Sequence, residues 1–347
     1  MTRTAHHAVA LATAIVCLCA PAKAQTVEEF YKTHAITMLV GSGAGGGYDV
    51  YARAFARVWA NHIPGHQTIV PKNLPAAAGL AAASTLYNGA ERDSSVIGAF
   101  TNGAAMDPLF GNPAAHYDAL KFNWLGSIGK LENVCFTWHT SAVKTIDAAR
   151  SREVVVAAAG ATSNSGIVPK MLNALMGTRF KVVPSYDTGS GLTMAVERGE
   201  AEGICGLSWS TIKASRPHWI AERSLNVIVQ MGLAKLRDLP DVPSALDLVE
   251  DARSRQVMEL ILLRQEAGRP FAAPPDAPAD RVAALRQAFQ ETLADPEFVA
   301  AAAQEQLEIE PMSSEAIAAM LAKAYVATKD IVARAAELVY PAALKAQ

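Results

Sequence analysis

Between residues 36 and 63 the chain reads ITMLVGSGAGGGYDVYARAFARVWANHI, a short apolar run, a glycine-rich interval and then apolar positions at helical spacing. The run predicts a strand, and Val50, Ala54, Phe55, Val58 and Trp59 would share one face of a helix. Arg53 and Arg57 fall elsewhere on that helix, solvated or paired with Asp49. The first N–H groups of a helix lack intrahelical acceptors, so a strand–glycine–helix junction gathers donors at one spot and suits an anion.

The same alternation continues. Residues 66–70 predict a second strand, 76–87 a helix of small residues and 96–100 a third strand, in the parallel order of an α/β protein. Residues 122–140, FNWLGSIGKLENVCFTWHT, read as a crossing into another unit, because strand-forming residues recur without a long helix. A second βα series follows: strand 153–158, helix 166–176, strand 181–184, helix 192–198, and strands 203–207 and 226–231. LRDLPDVPSALDLVE leads toward the apolar run 260–263. Past a proline-rich turn at 273–278, Val282, Leu285, Phe289 and Leu293 recur at helical spacing. One helix over 314–338 would carry Ile317, Met320, Leu321, Ile331 and Ala335 on a side; such stripes are packing faces.

The first 24 residues change the setting. Arg3, with His6 and His7, precedes an apolar core over 8–20 and small residues at Ala22 and Ala24. This is the pattern of a secretory signal peptide cleaved after Ala24. The core is shorter than the about 20 residues needed to span a bilayer. Cys17 and Cys19 lack the Leu-small-small context of a lipid attachment site. Export to the periplasm is therefore expected, and enough of the 347 residues remains for two domains. The formal net charge of −2 over the whole chain, 51% hydrophobic and 18% charged, offers no basic surplus for nucleic acid.

Beyond the leader only Cys135 and Cys205 remain. Their distance in sequence is no sign of contact, so two buried thiols are the expected state and pairing stays open. His62 and His66 are interrupted by Pro64, while His34, His116, His139 and His218 are scattered; no metal site is expected. Gly206-Leu207-Ser208-Trp209-Ser210 is not a G-x-S-x-G elbow and has no neighbouring histidine. No catalytic residue and no cofactor are assigned.

Gly41, Gly43 and Gly46 satisfy G-x-G-x-x-G between a strand and a helix, the setting of a dinucleotide fold. The acidic residue expected about 20 positions later is missing; Lys72 leaves an exported NADP-type oxidoreductase as an alternative. The plainer alternative is a tight turn at Gly45, Gly46 and Gly47 with Asp49 as a cap. Three consecutive glycines exceed what a cap requires.

GSGAGGGYDVYARAFARVW followed by IVPKNLPAAAGLAAASTLYN resembles the start of the Bug family, the extracytoplasmic solute receptors of tripartite tricarboxylate transporters. FNWLGSIGKLENVCFTWHTSAVKTIDAA, YDTGSGLTMAVERGEAEG, LRDLPDVPSALDLVE and FAAPPDAPADRVAALRQAFQETLADPEFVAAAAQ follow in the family's order. The resemblance implies a two-lobed periplasmic binding protein of the Venus-flytrap kind, with a βα sheet in each lobe. Lobe one would comprise residues 25–132 and 234–347, and lobe two 133–233. It also implies a monomer that captures a small organic acid and meets membrane transporter subunits. Family members hold a carboxylate largely with backbone amides, hydroxyls and ordered water.

Carried over by motif, the lobe-one contacts are Ser42, Gly45, Gly46, Gly47, Tyr48, Asp49, Thr101 and Asn102. In lobe two, AGATSNSG and YDTGSG offer Thr162, Ser163, Asn164, Ser165, Tyr186, Asp187, Thr188, Gly189 and Ser190, and Ser208 ends a neighbouring strand. Each polar residue has ordinary helix capping as its alternative. The chain departs from the family where Ala44 replaces a proline, Tyr48 replaces a threonine and PAAAG replaces PGAGG. Tyr48 and Trp209 raise an aromatic acid beside di- and tricarboxylates, with packing as the plainer role for both. A receptor-like sensing or interaction domain is the third function class.

Overall fold

The computed structural model describes residues 25–186 and 189–340, with the side chains of residues 189 and 190 left aside. Expectations for the leader, Asp187, Thr188 and the Ser190 side chain lie outside the described residues. The strands are β1 (Ile36–Val40), β2 (Ile69–Asn73), β3 (Val96–Ala99), β4 (Asn123–Ser127), β5 (Asn133–Trp138), β6 (Val154–Ala157), β7 (Phe180–Val183), β8 (Gly203–Ser208), β9 (Leu225–Met231), β10 (Pro270–Ala273) and β11 (Met312–Ser313). They form two sheets, in the orders β11-β4-β10-β3-β1-β2 and β7-β6-β8-β5-β9. The fold is two-lobed α/β with a mixed sheet in each lobe.

In the first sheet β1 runs parallel to both β2 and β3, as the βα alternation predicts. β10 and β11 enter antiparallel from far along the chain. The apolar face of helix Gly47–His62 explains how it is fixed: Phe55 and Trp59 are fully buried against Phe271 and Phe289, with ring centroids 4.6–5.7 Å apart. The second strand begins at Ile69 rather than at 66, because His66 sits in a turn with φ 50°. The small-residue helix starts at Leu80, after a 3-10 turn over Ala77–Gly79.

Residues 122–140 do cross between units: β4 belongs to the first sheet, and β5 pairs antiparallel with β8 and β9 in the second. That pairing sets Cys135 opposite Cys205, and the two form a disulfide. The expectation of two thiols is corrected, and the cause is sheet register. The run 260–263 lies at the end of helix Ala252–Leu262. The single helix expected over 314–338 is two, Ser314–Tyr325 and Lys329–Val339, since Thr328 is extended at φ −64°, ψ 145°.

Helices Ala252–Leu262 and Lys329–Val339 pack on each other and on helix Asn164–Met176 beside the second sheet. One buried cluster therefore runs from Leu39 and Phe100 through Cys135 and Met171 to Ile261 and Leu338. Two smaller clusters serve single sheets, one around Phe55 and Phe271 and one around Phe136 and Trp219. The lobes are joined by apolar packing on one side, and a cleft lies elsewhere. No helix among the described residues is long and apolar enough to cross a membrane.

Candidate functional site

A cavity of about 650 Å³ lies between the lobes, within the range of small-ligand sites. The glycine loop, Val50, Tyr51, Glu305 and Leu307 line one wall. The other comes from the second lobe, with Leu207, Ser210, Thr211 and Arg216 among its residues.

The glycine loop is built from behind. Asp49 is buried at 2% exposure, its Oδ2 accepts from the Gly45 N–H at 2.8 Å, and its Oδ1 accepts from Arg53 Nε at 2.8 Å and Asn73 Nδ2 at 2.7 Å. Asn73 Nδ2 also donates to the Ser42 carbonyl. Burial pushes the Asp49 carboxyl up, but the bonds from Arg53, Asn73 and Gly45 outweigh it and hold the group below the usual carboxylate range. Asp49 is thus the strut of the loop. Gly45 adopts φ 74°, which favours glycine. A side chain at Gly79 would place its Cβ 2.0 Å from the Gly41 carbonyl oxygen, so PAAAG abuts the end of β1 backbone to backbone.

Gly46 caps helix Gly47–His62 without a side chain, which leaves its first-turn N–H groups at the cavity wall. Gly43, Gly45 and Gly47 have open space where a Cβ would stand. Tyr48 joins this loop to the end of β3: its hydroxyl donates to Asn102 Oδ1 at 3.0 Å and accepts from the Asn102 N–H at 3.2 Å. Burial pushes the Tyr48 phenol above its ordinary value, against the Asn102 backbone bond. Ser42 Oγ and Asn102 Nδ2 are buried without a partner among the described residues. Thr101 Oγ1 donates to the Ala78 carbonyl at 3.2 Å.

In the second lobe two of the named hydroxyls are engaged within the loop itself, Ser163 as the cap of helix Asn164–Met176 and Ser165 in a bond to the backbone just past β6. Ser163 Oγ accepts from the Gly166 N–H and donates to the Gly160 carbonyl, and Ser165 Oγ accepts from the Ala159 N–H at 3.0 Å. Thr162 and Asn164 belong to the same turn, Thr162 exposed and Asn164 half-buried. Tyr186 donates to Glu200 at 3.3 Å, and Gly189 opens helix Gly189–Glu197. Ser208 Oγ pairs with Ser210 Oγ at 2.8 Å. Trp209 is buried and its Nε1 donates to Asp238, a packing role. Of the named residues that are described, Gly45, Gly46 and Gly47 line the cavity directly.

Among the described residues the second wall is formed by Leu207, helix Trp209–Ser215 and Arg216, together with Thr193. These were not legible as a site. Neither their spacing nor a motif connects them with the glycine loop, and only the proximity of Ser210 to the named Ser208 pointed that way. Lys213 on this helix bonds to Asp238 at 2.5 Å and pairs with Glu308, which links the second lobe to the first. Among the described residues no group of His, Cys, Asp and Glu is placed to hold a metal ion.

No family model matches the chain, and no curated protein matches it in sequence. Solved structures do match in fold. A TctC solute binding protein from Polaromonas superposes with a TM-score of 0.66 at 18% identity, covering 89% of this chain and 99% of that one. The periplasmic binding protein BugD gives 0.64 at 20% identity, with 88% and 96% covered. MatC from Rhodopseudomonas palustris, solved with bound malate, gives 0.63 at 19% identity, with 88% and 99% covered. The chain shares the fold of these TctC- and Bug-type periplasmic binding proteins.

Proposed function

We propose that this chain is an exported solute receptor that takes a small organic carboxylate into the cavity between its lobes and passes it to the membrane subunits of a tripartite tricarboxylate-type transporter. The observation that carries the reading is the glycine-capped N-terminus of helix Gly47–His62. It presents uncapped N–H groups and the positive end of a helix to a cavity walled on the far side by a second lobe. The fold neighbours support it, MatC holding malate in a protein of the same architecture. The lobes divide at 132/133 and 233/234, residues 1–24 direct export, the receptor acts as a monomer, and its role is capture rather than catalysis. Asp49 and Tyr48 serve the loop's shape, and carboxylate oxygens meet the first-turn amides.

The reading is tested by mass spectrometry of ligand carried through native purification, with a thermal-shift screen of mono-, di- and tricarboxylates and aromatic acids. A ligand at 100 times its Kd stabilises by about 2.7 kcal/mol. A rise in Tm with an acid and no turnover is expected; no shift with any acid overturns the reading.

A further inference from the structure

We infer that Arg216 is the second-lobe anchor of the site, a guanidinium that holds one anionic end of the ligand directly while the glycine-loop amides hold the other. This deepens the receptor reading and rests on it. It also departs from the amide-and-water binding that the resemblance to the Bug family implied.

Among the described residues Arg216 and Glu305 are the charged side chains on the cavity lining, and they are not equivalent. Glu305 is engaged by Arg57 Nη2 at 2.7 Å. Arg216 is engaged by Glu197, which is not itself part of the lining, through Nε at 3.2 Å. Its Nη1 donates to the Ser215 carbonyl and its Nη2 to Thr193 Oγ1, both at 2.9 Å. A guanidinium carries five N–H donors. Those three bonds leave one hydrogen on each terminal nitrogen among the described residues, enough for a carboxylate.

The side chain is also held in place. Glu197 Oε1 accepts from Trp219 Nε1 as well as from Arg216, and the guanidinium lies 5.8 Å from the Trp219 ring centroid. Arg216 itself stands where helix Trp209–Ser215 ends and Pro217 starts the next helix, which fixes the backbone below it. Little side-chain freedom remains to be lost on binding. The uncapped first-turn amide at Gly47 lines the same cavity from the other lobe, so each wall offers a positive pole, and Leu207, Leu307 and Val50 add apolar surface to the lining. A molecule with an anionic group at each end fits both poles; a monoacid fits one.

The test is calorimetric titration of butanedioate and hexanedioate against butanoate and hexanoate, with the wild type, Arg216→Gln and Arg216→Lys. The wild type should bind each diacid about 10- to 100-fold more tightly than its chain-matched monoacid, the worth of a hydrogen-bonded charge. Arg216→Gln should lower diacid affinity to the monoacid level, and Arg216→Lys should recover part of the difference. Equal affinity of the wild type for diacid and monoacid overturns the inference without any variant. A diacid preference that survives in a folded Arg216→Gln protein overturns it too, leaving the receptor reading intact. Failure of the wild type to bind any carboxylate overturns both.

Discussion

The Tyr48 hydroxyl is bonded twice to one residue, giving its proton to Asn102 Oδ1 and taking one from the Asn102 backbone N–H. The ring thus ties the first turn of the glycine-capped helix to the end of β3, a role that a threonine at this position is too short to fill in the same way. Tyr48→Phe leaves the Asn102 N–H and Oδ1 without that partner, in a residue whose Nδ2 already has none. We expect a loss of about 1–3 kcal/mol in urea unfolding and a weaker carboxylate titration, since the loop loses its brace. Unchanged stability would show the bond to be dispensable.

Gly47 stands at the first position of its helix with open space where a side chain would project. Leucine is a better helix former than glycine there, so Gly47→Leu should keep or slightly raise Tm. It should also fill the mouth of the cavity and weaken acid binding by at least about tenfold. Titration calorimetry beside a thermal melt separates the two effects, and retained affinity would place the ligand elsewhere.

Glu132, at the crossing from β4 to β5, has its carboxyl pushed up by burial first and then by Glu310, with Lys130 opposing and Glu308 and Glu266 adding to the rise. An acid whose folded pKa is raised binds its proton more tightly in the folded state. Its ionisation therefore costs stability as pH rises from the unfolded value of about 4.3 through the folded one. Glu132→Gln removes that cost, so Tm should rise by about 1–3 °C at pH 7. The gain should disappear in melts below about pH 4. A fall in Tm at pH 7 would show that the carboxylate is stabilised by its surroundings.

The Cys135–Cys205 disulfide closes a loop of 70 positions through two neighbouring strands of the second sheet. Denatured, unreduced protein lacking residues 1–24 should give no reaction with a thiol reagent. The Cys135→Ser, Cys205→Ser double variant should lose about 2–5 kcal/mol in urea unfolding. Two labelled thiols in the wild type would contradict the pairing.

What could be read from the sequence follows the range of the forces involved. Of the predicted stripe Val50, Ala54, Phe55, Val58 and Trp59, which repeats within one helix, the last four are buried, whereas Val50 is half-buried and lines the cavity. The 314–338 stripe named the right core residues, Ile317, Leu321, Ile331 and Ala335 among them, yet missed the break at Thr328: no Gly or Pro ends the first helix, and the start signal of Thr328 with Asp330 lies inside a continuing apolar stripe. At the site, the glycine wall was legible because strand, turn and helix are contiguous. Arg216, Thr193 and Glu305 were not, because they reach the cavity only through the packing of two lobes. The same holds for the cysteines, whose meeting depends on an antiparallel register that local pattern does not encode.

The position of β10 between β3 and β4 has a further consequence for the order of assembly. The first sheet stays open until residues 270–273 have been delivered, whereas every strand of the second comes from the unbroken stretch 133–231. A polypeptide released N-terminus first can complete the later sheet, covalent cross-link included, while the earlier one still waits for its middle strand. The glycine-bearing wall of the ligand cavity is thus the first part synthesised and among the last to be buttressed.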